Sequence, residues 1–164
     1  MKVGLISDSH DNIPMIDKAI NELNRLNLEI VLHSGDFIAP FAVARFKSLK
    51  NKLIGVYGNN DGDKALIKQK FNEFGMEIRG YFAEIKIEGL KLALLHGHEK
   101  ELLDSLINSQ AYEFIVYGHT HKVKIEHLGK TLIINPGELC GYLSGKSTIG
   151  VLNTKTKEVR IIEL

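Results

Sequence analysis

An α/β fold in one domain, two packed sheets with helices outside them, is what this sequence predicts. Three observations predict it. The first half alternates short aliphatic runs with amphipathic helical stretches, the pattern of parallel strands joined by crossover helices. The last third is strand and turn, which points to antiparallel pairing there. The chain has 164 residues, 44% hydrophobic and 25% charged, enough for one domain with a substantial core.

Lys2 to Ile6 is short and aliphatic and ends in a polar loop, so it reads as a buried strand. Asn12 caps a helix with Pro14 in its first turn, and Ile13, Ile16, Ile20, Leu23 and Leu26 give it one apolar face. Glu29 to His33 is the second strand. A helix from about Pro40 to Leu49 and a third strand from Leu53 to Tyr57 follow. Asp63 to Phe74 reads as a further helix, with Ala65, Leu66, Phe71 and Phe74 as expected core contacts. Tyr81 to Ile87 and Lys91 to His96 form a hairpin around Glu88-Gly89-Leu90. A helix near Lys100 to Ser109 precedes a strand from Phe114 to Tyr117. Two strand pairs close the chain, Val123 to His127 with Thr131 to Asn135, and Thr148 to Asn153 with Val159 to Leu164.

The charge is nearly balanced, 21 basic against 20 acidic side chains. That gives no general attraction to nucleic acid or to an anionic membrane. Cys140 is the only cysteine, which excludes an intrachain disulfide and a thiolate-based structural zinc site. The apolar stretch at the start is too short for a signal peptide or a membrane span, so a cytoplasmic protein is expected.

Five polar clusters carry the chemistry: Asp8-Ser9-His10, Gly35-Asp36, Gly58-Asn59-Asn60-Asp61, Leu95-His96-Gly97-His98 and Gly118-His119-Thr120-His121. Each follows an apolar run, and ligands of α/β sheets bind where parallel strands end. Asp, His and Asn together are what a pair of hard-to-borderline divalent cations requires. Asp8 and His10, like His119 and His121, are two apart, and in an extended segment such pairs point to one side. Asp36 lies in the middle of the set, and its carboxylate has the two oxygens a bridge between two cations needs.

In order and spacing, these clusters resemble the signature of the calcineurin-like metallophosphoesterases. The small size and Asn135-Pro136-Gly137 resemble the compact single-domain prokaryotic phosphodiesterases of that superfamily. The resemblance implies a four-layer αββα sandwich, two mixed sheets flanked by helices, with a dinuclear site. Asp8, His10, Asp36 and His121 would hold one metal. Asp36, Asn59, His96 and His119 would hold the other. A hydroxide between the metals would attack phosphorus in line. Many members have histidine where this chain has Asn60, and an amide cannot deliver a proton to the leaving group. A preference for small or activated phosphodiesters, such as aryl esters, is therefore expected.

Asn60, Asp61 and His98 are the candidate residues beyond the ligands. Asp61 is placed to orient a neighbour, and His98 to contact substrate or orient a ligand. His33, His127 and Cys140 read as structural, Asp11 and Asn12 as helix caps, and Asn135-Pro136-Gly137 as a turn. Mn²⁺ is favoured for its oxygen-rich ligands, with Ni²⁺, Fe²⁺, Co²⁺ and Zn²⁺ compatible. A homodimer is compatible with the sequence. Two other readings stand beside the phosphodiesterase: a phosphomonoesterase, and a non-catalytic interaction scaffold like the retromer subunit that shares the fold.

Overall fold

The first strand, β1 (Lys2–Ile6), is aliphatic on both faces because both faces are covered, and it is hydrogen-bonded along both edges. The computed structural model describes residues 1–164. After β1 come α1 (Ile13–Arg25), β2 (Ile30–His33), α2 (Pro40–Val43), β3 (Lys52–Gly55), α3 (Lys64–Glu73) and β4 (Glu77–Ile78). Then come β5 (Phe82–Ile87), β6 (Leu90–Leu95), α4 (Lys100–Ser109), β7 (Phe114–Val116) and β8 (Val123–Leu128). The chain ends with β9 (Thr131–Pro136), β10 (Thr148–Asn153) and β11 (Glu158–Glu163). One sheet has six strands in the order β11-β10-β1-β2-β3-β4; the other has five, in the order β5-β6-β7-β9-β8.

Alternation along the strands builds the layers. Val3 and Leu5 face the interior between the sheets, with Leu32, Val56, Leu92, Leu94, Phe114 and Leu132. Ile6, Val31 and Leu53 face outward and pack under Ile16, Leu23, Phe46 and Phe71 of the helical layer. On the far side, Leu102, Leu103, Leu106 and Ile107 of α4 cover Ala93, Leu95, Ile115 and Ile133. The result is the αββα sandwich that the resemblance implies. No helix is long and apolar enough to cross a membrane.

Local chemistry sets most boundaries. Asn12 caps α1, accepting from Met15 N, with Pro14 in the first turn. Glu88 and Gly89 both have positive φ (49° and 83°) and pair Ile87 with Leu90, the tight turn that twisted hairpins favour.

Four expectations are corrected. The segment after Pro40 makes one α turn and continues as a 3₁₀ helix over Ala44–Ser48. Its end is pinned to α1, where Asn24 donates to Ser48 O and accepts from Lys50 N. In α3 the cap at Asp63 turns Ile67 and Phe71 inward, four residues apart, and leaves Ala65 and Leu66 exposed. The last third is not all antiparallel, since β9 lies parallel to β7. Asp11 is not a helix cap; its carboxylate accepts from Ala39 N, tying the loop after β1 to the loop after β2.

Candidate metal centre

Strands β1, β2 and β3 run parallel in one sheet, as do β6, β7 and β9 in the other. The loops that follow them are stitched to one another. Asp8 N donates to Gly35 O, His10 N to Asp36 O, Gly118 N to His96 O, and Leu139 N to Ser7 O. Asp36 N and Gly58 N both donate to Asp61 Oδ2, and His119 N donates to Asp8 Oδ2, so all five sequence clusters meet at one rim.

The backbone there is not extended. Asp8, His10, Asp36, His119 and His121 have φ of 52°, 41°, 60°, 65° and 59°. Left-handed backbone is costly for residues with a Cβ and clusters at functional sites. Simple alternation along a strand therefore does not explain the pairing of Asp8 with His10 or His119 with His121. The cross-loop hydrogen bonds impose the turns. Two glycines make the close approach feasible: a Cβ on Gly118 would lie 1.8 Å from Ser7 Oγ, and one on Gly35 2.7 Å from Gly58 N.

Within this rim Asp8 Oδ1 lies 3.7 Å from His10 Nε2, 3.5 Å from His121 Nε2 and 4.0 Å from His96 Nε2. Asp36 Oδ2 lies 3.4 Å from His10 Nε2 and 3.3 Å from His96 Nε2. The His96 and His119 rings are 5.1 Å apart between centroids. Asn59 and Asn60 are exposed on the turn after β3. Asn60 reaches inward, its side-chain amide donating to Asp36 Oδ2 at 2.8 Å and its backbone N to Oδ1 at 2.9 Å.

The residues fit divalent cations on two counts. Asp8 Oδ1, His10 Nε2 and His96 Nε2 are buried without hydrogen-bond partners, a cost that a cation between them would remove. Bonds of about 2.1 Å to nitrogen and oxygen put neighbouring ligand atoms about 3.0–3.5 Å apart, close to several of the separations above.

A further set of contacts fixes each ring. His96 Nδ1 donates to Ser34 O at 2.8 Å and His121 Nδ1 to Glu138 at 2.7 Å, so in both the Nε2 lone pair faces the cluster. Burial opposes charging of His96, yet Asp36 beside it raises its pKa. Burial would also raise the Asp36 carboxyl, but His96 and Asn60 hold it well below the usual carboxylate range.

Glu138 is the residue sequence reasoning missed. It is fully buried and accepts from His121, Cys140 Sγ, Leu143 N and Ser144 N. Burial alone would raise its carboxyl, but the Cys140 thiol, His121 and Ser144 bring its pKa down to about 2. Its only sequence signal was an acid just past the end of a strand. Asn135 is more than part of a turn: its amide donates to Gly118 O and Thr120 Oγ1, pinning the loop that carries both histidines. Cys140 is buried as expected, and burial with its bond to Glu138 pushes the thiol up to about 12.

Asp61 is an acceptor for the backbone around it. Its oxygens accept from four backbone amides, those of Asp36, Phe37, Ile38 and Gly58, so it positions the turn that carries Asp36. His98 does face the cleft, 5.5 Å from His96 and 6.1 Å from His119 between ring centroids. His127 lies exposed on β8, away from the cluster.

His33 is structural. It is stacked on Phe37 at 3.7 Å, accepts from Gly35 N and donates to Ser9 Oγ. Burial lowers its pKa from 6.5 to about 3, so below 6.5 the unfolded chain takes up a proton that the folded protein refuses. Its share of the stability is therefore complete above pH 6.5. It is lost by up to about 1.4 kcal/mol per pH unit as pH falls toward 3. In denaturant titrations His33→Asn, which keeps an acceptor for Gly35 N, should flatten that slope. An unchanged slope would contradict the assignment.

Fold and cluster together define an αββα protein whose central site is built for divalent cations. Residues 1–157 match the calcineurin-like phosphoesterase superfamily domain, and the chain belongs to that superfamily. It is 43% identical over 165 residues to phosphodiesterase MJ0936 of Methanocaldococcus jannaschii, covering 100% of this chain and 99% of that one. A solved archaeal phosphodiesterase superposes with a TM-score of 0.96 at 42% identity, with 100% of both chains covered. Vps29 of Entamoeba histolytica, solved with Zn²⁺, superposes at 0.74 with 23% identity over 99% of this chain and 91% of its own, which shows the shared fold alone.

Proposed function

We propose that this protein is a phosphodiesterase that works with two divalent cations, Mn²⁺ foremost, on small or activated diesters. The observation that carries the reading is the convergence of Asp8, Asp36, His10, His96 and His121, with three buried polar atoms left unpaired among them. Asp8, His10, Asp36 and His121 would hold one cation, and Asp36, Asn59, His96 and His119 the second. Bound there, the pair would lower the pKa of water and neutralise charge developing on the phosphoryl oxygens.

The protein's own residues do the rest. Ser34 O and Glu138 hold the His96 and His121 rings in the tautomer that presents Nε2. Asn60 offers an amide donor at the mouth of the site, suited to a phosphoryl oxygen but without a proton to transfer. The likeness to MJ0936 over the full chain supports diesters as substrates.

The test is hydrolysis of bis(p-nitrophenyl) phosphate by metal-stripped protein, with and without Mn²⁺, beside the monoester p-nitrophenyl phosphate. Metal-dependent cleavage of the diester in preference to the monoester is expected; equal rates with and without metal would end the proposal. Asn60 also makes a prediction about leaving groups. General acid catalysis contributes about 10²–10⁴-fold, so Asn60→His should raise turnover of a dialkyl phosphate about tenfold or more. The aryl diester, whose leaving group needs no proton, should gain far less. No gain on the alkyl ester would show that a missing acid is not what limits it.

A further inference from the structure

Beside the metal centre runs a line of rings that hydrolysis itself does not require. Tyr81 lies 6.4 Å from His98 and 5.8 Å from Tyr57 between ring centroids, and His98 lies 5.5 Å from His96. Tyr81, His96, His98 and Leu102 line one small hollow. Tyr81 is 50% exposed, a large ring left in water beside His98.

That ring is held in place. The backbone before it is tied to the end of β3, Arg79 N donating to Gly55 O and Tyr57 N to Gly80 O. The Lys64 ammonium lies 5.8 Å from the Tyr57 centroid and 6.0 Å from that of Tyr81, and it is anchored on Asp61 O at 2.5 Å. A braced aromatic loses little freedom when a second ring stacks on it. His98 Nδ1 is buried with no partner, while its Nε2 stands 4.0 Å from Glu99. Glu99 would repel a second anionic group here, so a neutral substituent suits the position.

We infer that Tyr81 and His98 form a subsite for a neutral aromatic ester group, aryl or nucleobase, on the phosphodiester whose phosphorus lies at the metal centre. Tyr81 supplies the stacking face, and the His98 ring, 6.4 Å away between centroids, flanks it. The inference rests on the phosphodiesterase reading above. Stacking of a base on a protein ring is sequence-tolerant and supports a preference of about 5- to 150-fold.

The experiment uses three p-nitrophenyl phosphodiesters that share one leaving group and differ in the other ester: methyl, phenyl and thymidin-5′-yl. With the Mn²⁺-loaded protein, kcat/KM should favour the phenyl and thymidine esters over the methyl ester about tenfold, mainly through KM. Tyr81→Ala should collapse that ratio toward one, and Tyr81→Phe should keep it. A ratio lost for both esters shows a platform for any aromatic group; one lost only for the thymidine or only for the phenyl ester assigns it to the nucleobase or to the aryl group. A ratio near one in the wild type, or one that Tyr81→Ala leaves intact, overturns the subsite. If none of the three esters is cleaved, the phosphodiesterase reading fails instead, and binding decides the subsite. The chain has no tryptophan, so quenching of tyrosine emission can then compare thymidine 5′-phosphate with methyl phosphate. Tighter binding of the nucleotide by the wild type but not by Tyr81→Ala supports the subsite; equal affinities overturn it.

Discussion

Asp36→Asn is expected to lower metal-dependent hydrolysis of an aryl phosphodiester by about 10³-fold or more, the scale of several kcal/mol of transition-state stabilisation. The substitution keeps the side chain's shape and removes its charge. Asp36 Oδ2 faces His10 Nε2 at 3.4 Å and His96 Nε2 at 3.3 Å, nearer to both rings than Asp8 Oδ1 at 3.7 and 4.0 Å. An amide there can offer one oxygen but not a charged, two-oxygen bridge, so metal content should fall with activity. The fold should survive, because losing one of two neighbouring carboxylates relieves repulsion between Asp36 and Asp8. Metal analysis, turnover and a melting curve on the same sample check all three statements. His127→Ala, on the exposed face of β8, serves as the control expected to behave as wild type. A variant of Asp36 that kept a tenth of the activity would remove this carboxylate from the centre of the mechanism.

Much of this site could be read from the sequence because its chemistry sits beside easily recognised strands. Asp8, Asp36, His96 and His119 each stand within three residues of a buried strand's end, and parallel strands place such ends together. Asn12 and the Glu88-Gly89 turn were legible for a similar reason, since a cap or a tight turn depends on residues next door. What escaped was non-local. The left-handed φ values of His10 and His121 follow from loop-to-loop hydrogen bonds, which no local propensity encodes. Glu138 could not be found as a partner of His121 because it stands 17 positions further on, beyond both β8 and β9. The phase of α3 was misread because Ala65 and Leu66 are apolar, yet the position of the Asp63 cap turns Ile67 and Phe71 inward.

The same non-local logic predicts that losing Asp61 should cost the fold heavily. Its Oδ1 accepts from Phe37 N at 2.7 Å and Ile38 N at 2.8 Å; its Oδ2 accepts from Asp36 N at 3.1 Å and Gly58 N at 2.7 Å. Burial pushes its pKa up, so a charge is not welcome there for its own sake. It is retained because four donors need acceptors. Asp61→Asn is therefore predicted to be nearly as damaging as Asp61→Ala. Whichever way the amide is turned, its NH₂ meets two backbone N–H groups that have nowhere else to donate. A hydrogen bond to a charged group is worth about 1.5–3 kcal/mol and an orphaned buried donor costs about 1–3 kcal/mol. Either variant should thus lose roughly 3–5 kcal/mol in denaturant titrations, the scale of breaking a buried polar network. Activity should fall as well, because the turn that presents Asp36 loses its clamp, and added Mn²⁺ should restore only part of it. An asparagine variant as stable as the wild type would mean that these amides find water or other acceptors, and that Asp61 does not hold the turn.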